Sequence, residues 1–243
     1  MVGVILAAGN GTRFGNAQYS KVLNRINNTT LIELALNNLI ELEVEEAYIV
    51  VGNHSEMIVA ALGNEYNGIR IQYAYQAKQI GLINALVQAI ALVPEGETVC
   101  LQLADEVFIG LKSETIKCAI SEMRSDFYCG ITIDEDPGKI KQNYSVEICG
   151  ESRITRCVEK PEVVVNDIKG TGLCFFGYDI LQMLSRVYDL KTGTPRDLCD
   201  FVNYLIAEGK TVTALCVAEK EFNINTPADL EEAAAFVRQH SAS

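Results

Sequence analysis

Short apolar runs, each the length of one buried strand, alternate along most of this chain with segments whose apolar residues recur at helical spacing. Residues 2–7, 48–51, 69–75, 99–103 and 128–133 read as strands, and 30–40, 55–62, 82–92 and 112–124 as helices. Thr30 stands at an N-cap position, and Leu31, Leu34, Ala35, Leu39 and Ile40 make one apolar face behind it. Such alternation builds a largely parallel sheet with helices on both faces. The second half departs from the pattern. Residues 144–148 and 153–159, joined by Cys149-Gly150-Glu151-Ser152, predict an antiparallel hairpin. A strand at 172–178, helices near 179–187 and 196–208, a strand at 212–217 and a last helix opened by Pro227 follow.

These segments predict an α/β, Rossmann-like three-layer fold, with a mostly parallel mixed central sheet and a small antiparallel hairpin extension. Residues 1–243 are expected to form a single domain. The segments at 134–142 and 161–169 read as polar loops rimming a site. Ligands of such a sheet bind outside the carboxyl ends of its strands. The first strand runs into Gly9-Asn10-Gly11-Thr12-Arg13-Phe14-Gly15, and Lys21 follows. Glycines admit backbone N–H groups close to an anion, and Arg13 and Lys21 add the charge that amides lack. The segment is neither a P-loop, having no Gly-Lys-Ser/Thr, nor a dinucleotide fingerprint, whose last glycine would fall at Phe14. A plain strand-to-helix turn accounts for two glycines equally well.

A net charge of −12 argues against nucleic acid or an anionic membrane surface as partner. It also means that a bound polyanion would need local cations, and so implies a divalent metal. No apolar run reaches membrane-spanning length, and residues 2–8 are too short for a signal peptide. Eight cysteines occur without a Cys-x-x-Cys pair and mostly within apolar runs, as expected of buried thiols in a reducing cytoplasm. His54 and His240 have no neighbour at ligand spacing.

Asp105 ends an apolar strand, where a carboxylate either caps the next turn or faces a cation. Glu106 is a candidate helper that strand alternation turns away from Asp105. Thr226 and Asp229 are explained by capping the last helix, whereas Asn225 is not, and its amide oxygen suits a magnesium ion shared with a carboxylate. Arg156 is expected to pair with Glu159 across the surface. Lys139 and Lys141 are assigned no role.

Leu6-Ala7-Ala8-Gly9-x-Gly11-Thr12-Arg13-Phe14 with Ser20-Lys21-Val22-Leu23 resembles the signature of the sugar-1-phosphate nucleotidylyltransferases. Gln76-x-x-x-x-Gly81-Leu82, Leu103-Ala104-Asp105, Val158-Glu159-Lys160-Pro161 and Asn223-Ile224-Asn225-Thr226-Pro227 resemble further motifs of that family, in its order. The resemblance implies that Arg13 and Lys21 are catalytic and hold the phosphates. Nucleotide contacts would come from Leu6, Ala8, Gly9, Gly11, Thr12, Gln76 and Gly81. It further implies that Glu159, Lys160 and Gly172 hold the sugar phosphate and that Asp105 and Asn225 bind Mg²⁺.

Asparagine at 225 is similar to the N-acetylglucosamine uridylyl branch rather than the thymidylyl branch. Ala104 stands in place of a common glycine, and the loop before Lys21 lacks the proline-rich form of many relatives. The implied reaction joins a nucleoside triphosphate, UTP or dTTP, to a sugar-1-phosphate and releases pyrophosphate. No general base is needed, since a phosphate monoester is already ionised at neutral pH. The alternatives are cytidylyl or guanylyl transfer to another phosphorylated sugar or alcohol, and a non-catalytic nucleotide-sugar binding protein. Relatives are often dimers or tetramers, which leaves a homo-oligomer open.

Overall fold

The computed structural model describes residues 1–9, 11, 14, 19–189, 192 and 194–240. The first half comprises β1 (Val2–Leu6), β2 (Arg25–Ile26), β3 (Thr29–Thr30), α1 (Leu31–Glu41), β4 (Glu46–Val51), α2 (Ser55–Leu62), β5 (Glu65–Tyr66), β6 (Ile69–Tyr75), α3 (Leu82–Ala89), β7 (Thr98–Leu103), β8 (Glu106–Leu111) and α4 (Ser113–Glu122). The second half comprises β9 (Phe127–Ile133), α5 (Pro137–Gln142), β10 (Tyr144–Cys149), β11 (Arg153–Glu159), β12 (Ile168–Gly177), α6 (Tyr178–Val187), α7 (Leu198–Ala207), β13 (Val212–Cys216), β14 (Ala218–Asn223) and α8 (Pro227–His240).

Among the described residues one large sheet runs in the order β10-β11-β13-β9-β12-β7-β1-β4-β6-β5. Strands β6, β4, β1 and β7 are mutually parallel, as are β9 and β13, while β12 is antiparallel to both β7 and β9. Residues of β1 alternate between two apolar layers. Val2, Val4 and Leu6 pack with α3, α6 and α7, whereas Ile5 and Ala7 pack with α1, α2 and α4. A strand covered on both faces must be apolar throughout, which is why this one is legible as a continuous run.

Helix α1 begins where expected. The Thr30 hydroxyl accepts the Glu33 amide, and the Glu33 carboxylate accepts the Thr30 amide, a reciprocal cap. Leu36 on the inner face of α1 is wholly buried. Leu36→Ala is therefore expected to cost about 3 kcal/mol and lower Tm by roughly 6–12 °C in thermal denaturation.

Several expectations are corrected. The polar segment 134–142 contains α5, begun by Asp136, whose carboxylate accepts the Gly138 amide. Strand β8 lies between Asp105 and the next helix, and β14 follows β13 directly; the two pair antiparallel, with Asn223 opposite Glu106. Strand β12 begins at Ile168, earlier than 172, so Lys169 is not on a rim loop. It is 1% exposed, between Asp134 at 2.8 Å and Glu221 at 3.0 Å. Burial pulls the Lys169 ammonium down, but the two carboxylates outweigh it and hold its pKa above the usual lysine range. Arg156 pairs with Glu147 at 3.7 Å, not with Glu159.

Candidate active site

Strands β1, β4, β6 and β7 are parallel, so their carboxyl ends fall on one side, and a cavity of about 340 Å³ opens beyond the ends of β1, β6 and β7. It is lined by Leu6, Ala8 and Gly9 after β1, by Gln76, Gln79, Gly81, Leu82 and Ala85 after β6, and by Leu103 and Asp105 after β7. Among the described residues nothing lies within 4 Å of where a Gly9 side chain would stand. Thr12 and Arg13, with Asn10 and Gly15, lie outside the described residues.

Gly11 has φ +57°, a left-handed backbone that glycine tolerates best, and a side chain there would meet Lys21 Cβ at 2.9 Å. Gly11 thus lies directly against Lys21. Lys21 itself is buried, and its Nζ pairs with Asp105 Oδ2 at 2.5 Å.

Gln76 is 3% exposed. Its Nε2 donates to Gly81 O at 3.1 Å and to Asn84 Oδ1 at 2.9 Å. A carbonyl only accepts, so this amide cannot flip without setting oxygen against oxygen. Oε1 is left as an acceptor in the cavity that Gln76 lines.

A second cavity of about 160 Å³ shares Leu82 and Leu103 with the first. Glu106, Asn143, Glu159, Lys160, Gly172, Asp197 and Asn225 are among its lining residues. Lys160 has φ +45°, unfavourable for a lysine, and its amide donates to Asn143 O at 2.8 Å. Its Nζ lies 3.2 Å from Glu159 Oε1. Burial raises the Glu159 carboxyl pKa, opposed by Lys160.

The Gly172 amide is not open to a ligand: it donates to both oxygens of Glu106, at 2.9 and 2.7 Å. Glu106 is turned inward and 4% exposed. Burial first, then the Glu221 and Asp105 charges, raise its pKa well above the carboxylate range. The side chain that the Gly172 region presents to this cavity is therefore Glu106.

The Ile224 amide donates to Asp105 O at 2.8 Å, which ties the chain after β14 to the end of β7. Asn225 follows. Its amide Nδ2 donates to Asn223 Oδ1 at 2.9 Å, so its Oδ1 remains available as an acceptor. Thr226 and Asp229 form the expected cap, with the Asp229 carboxylate accepting from the amides of Asn225 and Thr226. The oxygen donors of Asp105 and Asn225 suit a hard cation such as Mg²⁺ that keeps waters and takes further oxygens from its substrate. Among the described residues no group of three or more His, Cys, Asp or Glu side chains offers an all-protein metal cage.

Residues 2–240 match the sequence profile of the nucleotidyl transferase family. The chain belongs to that family. It is 27% identical over 236 residues to the UTP–glucose-1-phosphate uridylyltransferase AglF of Haloferax volcanii, covering 96% of this chain and 95% of AglF. It is 29% identical over 223 residues to the bifunctional protein GlmU of Enterococcus faecalis, covering 89% of this chain but 47% of GlmU. Among solved structures, UDP-glucose pyrophosphorylase complexed with UDP-glucose superposes with a TM-score of 0.83 at 20% identity, over 99% of this chain and 100% of that one. The inositol-1-phosphate CTP transferase of T. maritima gives 0.78 at 18%, over 97% and 94%. These two likenesses establish the Rossmann-like nucleotidyltransferase fold. No helix among the described residues is long and apolar enough to cross a membrane.

The motif residues Leu6, Ala8, Gly9, Gln76, Gly81 and Asp105 come together at the first cavity, and Glu159, Lys160, Gly172 and Asn225 at the second. Gln79, Asn143 and Asp197 are lining residues that motif reading passed over, and Glu106, the candidate helper, lines the second cavity while Asp105 lines the first. Asn143 carries no sequence signal, being a polar residue in a turn, and the one that Asp197 carries is that of a helix cap, its carboxylate accepting the Asp200 amide at the start of α7. Glu106 had one: its neighbours Val107 and Phe108 are apolar, and a carboxylate opening such a run must find a donor.

Proposed function

We propose that this protein transfers a uridylyl or thymidylyl group from a nucleoside triphosphate to a sugar-1-phosphate, with UTP preferred, giving a nucleotide sugar and pyrophosphate. The observation that carries the proposal is that Asp105, paired with Lys21, lines the first of two adjoining cavities. One is lined by glycine and glutamine, the other by Glu159 and Lys160. The similarity to AglF supports the choice of UTP and of a hexose-1-phosphate such as glucose-1-phosphate.

In this reading 1–243 act as one nucleotidyltransferase domain. Base and ribose occupy the first cavity, among Leu6, Ala8, Gly9, Gln76 and Gly81. The triphosphate lies along Gly9–Gly11, with Thr12 and Arg13 assigned to the phosphates on the motif alone. The sugar-1-phosphate occupies the second cavity, with Glu159 accepting from a sugar hydroxyl and Lys160 facing its phosphate. Gly172 and Glu106, which are hydrogen-bonded to each other, line the same cavity. Asp105 and Asn225 would hold Mg²⁺, which offsets phosphate charge when bound. Lys21 holds the two anions together.

An oxygen of the sugar phosphate forms a bond to the α-phosphorus. The bond from that phosphorus to the bridging oxygen breaks, and pyrophosphate leaves with the electron pair. The protein's contribution is positioning and charge stabilisation. Eight free thiols, five of them buried among apolar side chains (Cys100, Cys129, Cys157, Cys174 and Cys199), suit a reducing cytoplasm.

The test is pyrophosphate release from UTP, dTTP, CTP and GTP, each against a panel of sugar-1-phosphates. UTP with a hexose-1-phosphate is expected to give the highest kcat/KM; release only with CTP or GTP would overturn the assignment. The base preference has its own check. Gln76 Oε1 suits the N3–H of uracil or thymine and opposes the N3 lone pair of cytosine. Wild type is expected to favour UTP over CTP by about 10²-fold, and Gln76→Ala to bring that ratio below about ten. An unchanged ratio would remove Gln76 from base selection.

A further inference from the structure

Gln79 enters the nucleotide cavity from the turn between β6 and α3, three residues after Gln76. Its Oε1 is buried and has no hydrogen-bond partner among the described residues. A buried amide oxygen without a donor is costly, so an orphan of this kind at a ligand cavity marks a place for a donor that the ligand brings. A Cβ on Gly52, at the end of β4, would lie 2.5 Å from Gln79 Nε2 and 2.8 Å from Ala8 O. Glycine at 52 therefore leaves room for the Gln79 amide beside the end of β4, near the Ala8 carbonyl.

Donor counting on the nucleotide decides what the oxygen receives. Uracil linked through N1 has a single N–H donor, at N3, and the fixed amide of Gln76 takes it. The phosphates are ionised and only accept. The remaining donors of a uridine nucleotide are the 2′- and 3′-hydroxyls of its ribose.

We infer that Gln79 Oε1 is the acceptor for a ribose hydroxyl of the nucleotide, as Gln76 Oε1 is for the N3–H of its base. If the hydroxyl is the 2′, the residue separates UTP from deoxyribonucleotides such as dTTP; if the 3′, it holds both. The inference rests on the proposed nucleotide site, and binding is therefore measured apart from turnover.

The experiment is calorimetric Kd determination for UTP, 2′-deoxy-UTP and 3′-deoxy-UTP with Mg²⁺, on wild type, Gln79→Ala and Gln79→Met. The last keeps the side chain's length, and equal melting temperatures establish that the fold is retained. Wild type is expected to lose roughly tenfold in affinity for one of the two deoxy analogues, and both variants to bind that analogue as well as UTP. The analogue that suffers identifies the hydroxyl. Equal affinity of wild type for all three, or a deoxy penalty that persists undiminished in the variants, overturns the inference while leaving the nucleotide site intact. Failure to bind any of the three overturns the site as well.

Discussion

Replacing Lys21 by alanine is expected to lower kcat for pyrophosphate release by about 10³-fold while changing the Kd for UTP less than tenfold. The asymmetry follows from where the ammonium stands. It is buried, packed under Gly11 and paired with Asp105, and so is poised between the phosphate loop and the carboxylate that would carry the cation. A nucleotide in the first cavity keeps its contacts to Gln76 and the glycine backbone without Lys21. The transition state loses a charge that holds two mutually repelling anions together, and such interactions count only where the negative charge concentrates. Kinetics at saturating substrate, combined with calorimetric binding, separate the two quantities. An equal loss in both would make Lys21 a binding residue.

Asp105→Ala is expected to have an effect of similar size, about 10³-fold in kcat, with loss of the saturable Mg²⁺ dependence. The substitution removes one of two oxygen donors that suit the cation and strands Lys21, which is 9% exposed at its side chain and has its ion-pair partner in Asp105. A buried charge left without its partner costs stability as well as activity, so Tm is expected to fall. The double variant Lys21→Met, Asp105→Ala separates the effects. It should recover Tm relative to Asp105→Ala without recovering turnover. Mg²⁺ activation that persists in Asp105→Ala with the wild-type midpoint would remove this residue from the metal site.

The sheet was largely legible because its central strands are covered on both faces. Strands β1, β4 and β7 are short runs with nowhere to be but inside, β6 alternates buried and exposed residues, and the helices between them carry one apolar face each. Strands β8 and β14 were not legible, because neither closes a βα unit. They pair with each other over α8 and a small separate cluster of Val107, Phe222 and Ile224, a long-range contact with no local pattern. The partner of Glu106 was not legible either, since its carboxylate accepts the Gly172 amide 66 residues away. Lys169 was read as a rim lysine for the same reason: the carboxylates that let it be buried come from β14 and from the residue after β9.

The site followed the same division. Residues within recognisable motifs, such as Gly9, Gln76, Asp105 and Lys160, were named from the chain alone. Gln79 was invisible, since its orphaned oxygen exists only once β1, β4 and the turn after β6 are brought together.

The central claim is that these separated segments form one magnesium-dependent basin that moves the α-phosphoryl group. UTP labelled at its α-phosphorus, incubated with glucose-1-phosphate and Mg²⁺, tests it most directly. The label is expected in a nucleotide sugar, equimolar with released pyrophosphate, and chelation of the metal should stop both. Label that stays in UTP or emerges as UMP, with or without metal, would contradict the account.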